Sequence, residues 1–225
     1  MARLEYSKIL DTINLDTYEV ISKEFSDTRA YVWQCVKDFT KLINQNSSVL
    51  EIGCGNGKNM KYILKHSNCN VIGVDTCQNF VDMCQESNLQ VYKNSISNLQ
   101  FTESNFDFVM CIAVFHHLLS EENQIQAMNE IIRVMKPNAI GIVTCWATEQ
   151  PSNESKDLKK FMFHEGINIV PWKGRQELNK TRYYYVFSEK MFRDFFSKFE
   201  DIEILKMYNE VGNWCVFFRR KNHLE

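Results

Sequence analysis

Glycine recurs at positions 53, 55 and 57 in the run from Glu51 to Gly57, EIGCGNG, and a carboxylate, Asp75, follows after a second apolar run. Glycines carry no Cβ, so a turn built from them lets the backbone pass close beneath a bound nucleoside. Spacing separates the ligands such a turn can hold. A dinucleotide site needs a further glycine at position 58, and this chain has Lys58 there. The GxGxG form suits the amino-acid half of S-adenosylmethionine, which brings no pyrophosphate to the helix N-terminus. Gly53, Gly55, Asn56 and Gly57 are therefore expected to hold that cofactor, with Asp75 and Thr76 beside its ribose. A carboxylate at that strand end can accept both ribose hydroxyls; the alternative is a plain turn-initiating aspartate. The chemistry implied is transfer of a sulfonium methyl group.

Those residues need strand ends to sit on. Apolar runs alternate with helical patterns, as in a parallel sheet wrapped by helices. Strands are expected at Val49–Ile52, Val71–Val74, Gln90–Lys93, Phe106–Ile112 and Ile140–Trp146. Helices are expected at Gly57–Lys65, Phe80–Glu86 and Glu121–Met135, the last stopped by Lys136-Pro137-Asn138. Ile202–Tyr208 and Trp214–Phe218 flank a turn-rich loop and read as a terminal antiparallel hairpin. The predicted fold is α/β and Rossmann-like: a mostly parallel seven-stranded sheet with helices on both faces. Ligands in such sheets bind outside the carboxyl ends of the strands, which adds Ser95, Ile96 and Ile112 to the expected cofactor residues. A single domain over 1–225 is expected. Residues 1–46 form N-terminal helices at Thr17–Phe25 and Ala30–Ile43, and 147–187, poor in periodicity, form a substrate-side insertion.

Composition excludes several classes. Hydrophobic residues make up 44% of the 225, enough for a sizeable core. No apolar run approaches the roughly 20 residues that cross a bilayer, and Met1 to Leu10 lacks the apolar centre of a signal peptide. Eight cysteines occur without a CxxC pair, so buried free thiols are expected, no metal site, and a cytoplasmic location. A net charge of −2 advertises no nucleic acid, but Lys156 to Arg182 carries seven basic residues against three acidic. That segment is either a solvated face or a phosphate track.

Longer runs carry a resemblance. EIGCGNGKN from Glu51, CIAVFHHL from Cys111 and CWATEQ from Cys145 resemble the eukaryotic tRNA wobble-uridine carboxymethyl methyltransferases, class I S-adenosylmethionine-dependent enzymes. FSDTR from Phe25, VPW from Val170 and RYY from Arg182 extend the likeness, which spans Tyr18 to Phe218. The resemblance implies esterification of 5-carboxymethyluridine in the tRNA anticodon loop. It also implies a small zinc-binding activator subunit, paired as a heterodimer along the edge strand at Gln90–Lys93. One departure is Ser95, where the family carries an acidic residue toward the adenine amino group.

Carboxylate methylation needs no strong base, because the nucleophile is already ionised. It needs alignment and a cation that grips one carboxylate oxygen. Arg29 is the expected gripping residue; the alternative is a surface arginine between helices. Arg182 is a second cation, for phosphate or for ordering its loop. Of His116 and His117, His116 is expected to line the pocket and His117 to pack in the core. Trp146 and Trp172 are expected to stack on the uracil, or else to belong to the core. Three other readings stay open: a small-metabolite methyltransferase, a non-catalytic RNA-binding scaffold, and a nicotinamide oxidoreductase, the last disfavoured by Lys58 and the terminal hairpin.

Overall fold

Strand residues that alternate between two buried faces give continuous apolar runs, and the central strands here do that. In the computed structural model, which describes residues 2–151, 162–174 and 180–222, the elements are α1 (Ala2–Asp27), α2 (Gln34–Thr40), β1 (Ser48–Ile52), α3 (Lys58–His66), β2 (Asn70–Asp75), α4 (Gln78–Glu86), β3 (Val91–Lys93), β4 (Phe106–Cys111), α5 (Glu121–Val134), β5 (Met135–Trp146), β6 (Gly166–Pro171), β7 (Thr181–Val186), α6 (Glu189–Phe196), β8 (Ile202–Glu210) and β9 (Asn213–Arg220). Phe106, Val109 and Cys111 of β4 face a cluster with Met128 and Ile131 of α5 and Phe192 and Phe196 of α6. Phe108 and Met110 of the same strand face Val36 and Phe39 of α2 and Met60 and Ile63 of α3. Both faces are covered, as the all-apolar strands require.

Seven strands form one sheet in the order β3-β2-β1-β4-β5-β9-β8. β1 to β5 are parallel, while β9 inserts antiparallel between β5 and β8. This is the predicted sheet. The order of strand addition switches at β1, with β2 on one side and β4 on the other, which leaves the carboxyl ends of β1, β2 and β4 around one crevice.

Several boundaries differ from expectation. The two expected N-terminal helices are one long helix, α1, and one short one, α2. The inner face of α1 is unusually polar: Asn14, Thr17 and Ser22 are buried beside Leu10 and Ile21. Apolar periodicity therefore hides the helix. Its polar groups replace a missing strand: Asn14 donates to the Tyr183 carbonyl (2.9 Å) and accepts from the Tyr183 N–H (2.7 Å), and Thr17 donates to Thr181 O (3.1 Å). α2 starts late because Trp33 is extended, and Glu210 from the end of β8 caps it through the N–H groups of Gln34 and Cys35, at 2.8 and 2.9 Å. That carboxylate lies with the thiols of Cys35 and Cys215. It already serves as the helix cap, and all eight cysteines are free thiols.

Helix α5 stops one residue earlier than predicted, and β5 then runs through Pro137 and a left-handed Asn138 (φ 66°). The register with β4 slips there, between Phe106 and Phe108. The segment 147–187 holds a separate two-stranded antiparallel sheet of β6 and β7. Arg182, Tyr184 and Val186 of β7 point inward on alternating positions. Helix α6, unforeseen, follows with Ser188 as its N-cap, accepting from Met191 N. Lys156, Lys159, Lys160 and Arg175 of the basic segment lie outside the described residues.

Candidate functional site

The glycine turn sits where the chain must reverse tightly from β1 into α3. Gly53, Gly55 and Gly57 all adopt left-handed φ, 67°, 52° and 70°. At Gly53 a Cβ would meet Val114 Cγ2 at 2.2 Å, so only glycine fits, whereas at Gly55 it would meet nothing within 4 Å and would project into open space. That space is a crevice of about 440 Å³, within the range of small-molecule sites. Its walls include Gly53, Gly55, Asn56, Asp75, Thr76, Ser95, Ile96 and Ile112, eight of the nine expected cofactor residues. The ninth, Gly57, is a buried helix cap beneath the turn. Sequence proximity to a strand end was the signal that found them.

Asp75 holds the turn as well as facing the crevice. Its Oδ2 accepts from Gly55 N and its Oδ1 from Cys77 N, both at 2.9 Å. Burial pushes its carboxyl upward, opposed by those N–H groups. Glu51, fully buried below, is pushed up to about 8 by burial, and one of its oxygens has no partner. Ala113, at the end of β4, takes φ 56°, a strained value for alanine, with its N–H held by Thr144 Oγ1 at 2.8 Å. An open cradle over glycines, a carboxylate at the end of β2 and apolar Ile96 and Ile112 fit a methionine–ribose–adenine ligand. Replacing Asp75 by alanine removes the turn clip and, with it, the carboxylate expected beside the ribose. Donor affinity is expected to fall about 100-fold by calorimetric titration, as for one or two charge-assisted hydrogen bonds. An unchanged Kd would remove Asp75 from the site.

Sequence comparison agrees with that geometry. Residues 50–143 match the methyltransferase domain family. A Xenopus tropicalis protein named tRNA (carboxymethyluridine(34)-5-O)-methyltransferase alkbh8 is 26% identical over 90% of this chain and 40% of its own length. A Schizosaccharomyces pombe protein named tRNA (carboxymethyluridine(34)-5-O)-methyltransferase is 32% identical over 69% of this chain and 65% of its own length. The chain is similar to these tRNA carboxymethyluridine methyltransferases and spans about two-fifths of the length of the Xenopus relative. Its fold is similar to that of a Haloferax volcanii methyltransferase solved in complex with the Trm112 methyltransferase activator, with a TM-score of 0.67 at 12% identity, over 94% of this chain and 98% of that one. At that identity the likeness shows the class I fold alone.

Around this crevice lies an aromatic wall that the sequence reading missed. α1 crosses the opening and contributes Tyr18 and Phe25, with the expected Arg29 two residues past its end; Phe80 of α4 and Trp33 complete that side. The histidine lining the crevice is His117, where His116 was expected. In the single 3₁₀ turn Phe115–His117, successive side chains diverge, and His116, 2% exposed, packs on Trp146 and Tyr184. His117 meets Tyr18 edge-on, at 5.2 Å between rings. Trp146 and Trp172 do not line the crevice. Trp146 packs on the small core of Val170, Tyr184 and Val186, the alternative kept open above. Trp172 stands 6.0 Å from the Phe25 ring, joining that core to the crevice wall.

Arg182 is not a surface cation: it is 6% exposed, its Nε has no acceptor, and its guanidinium lies over the rings of Trp172 (5.0 Å) and Tyr184 (5.3 Å). Arg29 lies over Phe25 at 4.6 Å and hydrogen-bonds only within the Thr28 residue. None of the ion pairs among the described residues involves either arginine.

Burial pushes both histidines down, His117 to about 3, with the Arg182 charge adding to the effect. Unfolding below the ordinary histidine pKa of about 6.5 therefore takes up protons, and this contribution to stability is lost as pH falls from 6.5 toward 3. Glu51 and Asp11, pushed up to about 8 and about 6, act in the opposite sense. The histidine effect is thus read by difference. His117→Asn is expected to gain on the unsubstituted protein by about 1–2 kcal/mol between pH 7 and pH 5 in urea unfolding. A constant difference across that range would show that His117 takes up protons alike in the folded and unfolded chain.

Proposed function

We propose that this chain esterifies the carboxylate of 5-carboxymethyluridine at the tRNA wobble position, with S-adenosylmethionine as methyl donor. One observation carries the reading. Two arginines without a carboxylate partner, Arg29 and Arg182, stack on the two members of a single aromatic pair, Phe25 and Trp172, beside the donor crevice. A buried guanidinium is costly unless an anion completes it, and a substrate carboxylate is the anion the reaction supplies. The donor, when bound, presents an electrophilic methyl on a sulfonium. The methyl would pass to a carboxylate oxygen that is already ionised, so no residue of the chain need move a proton. Arg29 grips the oxygen that does not attack, and Tyr18, Phe25 and His117 exclude water. Positioning of this kind contributes up to roughly 7–11 kcal/mol in ideal cases. Tyr18 joins the crevice wall to the small core of Val170, Tyr184 and Val186, its hydroxyl lying 3.1 Å from that of Tyr184.

The basic residues between Lys156 and Lys180 are read as the track for the anticodon-stem backbone, in the cytoplasm. The partner follows from an edge. β3 is only three residues long, ends the sheet, and leaves Tyr92 48% exposed. Strand addition by a small zinc-binding activator would cover it, in keeping with the activator named in the Haloferax complex.

The test is transfer of labelled methyl to tRNA lacking the modification, with and without the activator, followed by nucleoside analysis. Label in the ester of carboxymethyluridine is the expected result. Label in small metabolites alone would favour the metabolite reading, and donor binding without any transfer would favour the scaffold.

A further inference from the structure

We infer that Asp11, on the N-terminal helix, recognises the adenine amino group of the methyl donor. The inference rests on the donor reading of the crevice. Along α1, three contacts map the crevice in order. Near its end, the Ser26 hydroxyl and the Arg29 carbonyl hold Asn56 of the glycine turn, at 3.1 and 3.4 Å. Midway, Glu19 accepts from Gln78 N at 2.7 Å, at the start of α4 just past Asp75. Two turns earlier, Asp11 accepts from Asn123 Nδ2 at 3.1 Å, at the start of α5. Gln126, on the same helix, donates to Ser97 O at 2.7 Å in the loop after β3. Methionine, ribose and adenine follow one another in the donor in that same order. Asp11 therefore stands at the adenine end, on the crevice wall with Ser95, Ile96, Ser97 and Leu118.

That end needs an acceptor and has no other carboxylate among its described wall residues. After β3 the chain carries Ser95, whose hydroxyl is already engaged by Ser97 N at 3.3 Å. Asp11 has a spare one: Oδ2 is engaged by Asn123, while Oδ1 is buried with no hydrogen-bond partner. A buried, unsatisfied carboxylate oxygen is costly. The exocyclic amino group of adenine donates what it lacks, whereas a carbonyl at that ring position would repel it. Burial has also pushed the Asp11 carboxyl up to about 6, as follows when the charged form lacks a donor. The carboxylate missing after β3 is thus supplied from a helix more than eighty residues earlier in the chain.

The test is calorimetric titration of the full chain with S-adenosylhomocysteine and with its deaminated analogue, S-inosylhomocysteine. The unsubstituted chain is expected to prefer the adenosyl ligand by about tenfold to a hundredfold, as for one hydrogen bond to a charged group. Asp11→Ala should lose that preference by weakening adenosyl binding, with inosyl binding unchanged or tighter. Equal weakening of both ligands, or a retained preference, would overturn the assignment. Should Asp11→Ala fail to melt cooperatively, Asp11→Leu, of similar volume and without an acceptor, takes its place in the comparison. If the unsubstituted chain binds neither ligand, the donor reading itself fails and takes this inference with it.

Discussion

Replacing Arg29 by alanine is expected to slow methyl transfer by about 10²–10³-fold while leaving donor affinity unchanged, the scale seen when one preorganised charge is removed from a reacting oxygen. The side chain contributes little to the fold. It lies over Phe25 and hydrogen-bonds within its own turn, to Thr28. Its backbone carbonyl, which the substitution keeps, is the group that holds Asn56. Single-turnover kinetics with saturating donor isolates the chemical step, and a parallel titration reports donor binding. Lysine at position 29 should recover little, because a point charge does not reproduce a planar fork held over a ring. Undiminished turnover in Arg29→Ala would show that the carboxylate is gripped elsewhere.

Arg182→Met carries the second large effect, with opposite signs for activity and stability. The guanidinium is buried, its Nε is orphaned, and its compensation comes from Trp172 and Tyr184. Stacking of that kind is worth about 2 kcal/mol when desolvated. The cost of holding an unpaired ion out of water is several kcal/mol even after relaxation, so the cost wins. Methionine fills similar volume without charge. The variant should melt a few degrees higher, at roughly 2–4 °C per kcal/mol for a chain of this size, and lose methyl transfer by about 10²-fold or more. A lower Tm together with lost activity would mean that Arg182 is structural, its anion being part of the fold. Retained activity would separate it from the substrate.

The parts of this molecule legible in its sequence are those where short-range pattern meets a fixed backbone demand. Gly53, Gly55 and Asp75 could be read because the turn and the carboxylate each follow a strand directly, and their spacing is set by one βα unit. The sheet could be read because strands buried on both faces admit only apolar residues. α1 escaped because Asn14 and Thr17 spend its inner face on hydrogen bonds to β7. Asp11, Tyr18 and Phe80 escaped for a related reason: they meet only after that helix crosses the crevice. The choice between His116 and His117 turned on a single 3₁₀ turn, too short to show a period. Trp146 and Arg182 were named without the small sheet that buries them, since β7, Thr-Arg-Tyr-Tyr-Tyr-Val, shows no polar–apolar alternation and reads equally well as loop.

The place of β9 sets an order of events during folding. Its partner β5 pairs with it from Ile140 against Arg219 to Trp146 against Asn213, so the two halves of that ladder are separated by more than sixty residues. Until β9 arrives, β5 offers a rim of unmatched amides and carbonyls at the heart of the molecule, while β1 to β4 can already be assembled. Closing so distant a pair is intrinsically slow. A nascent or heat-shocked chain therefore passes through a state with an open, adhesive seam beside a finished nucleoside cleft.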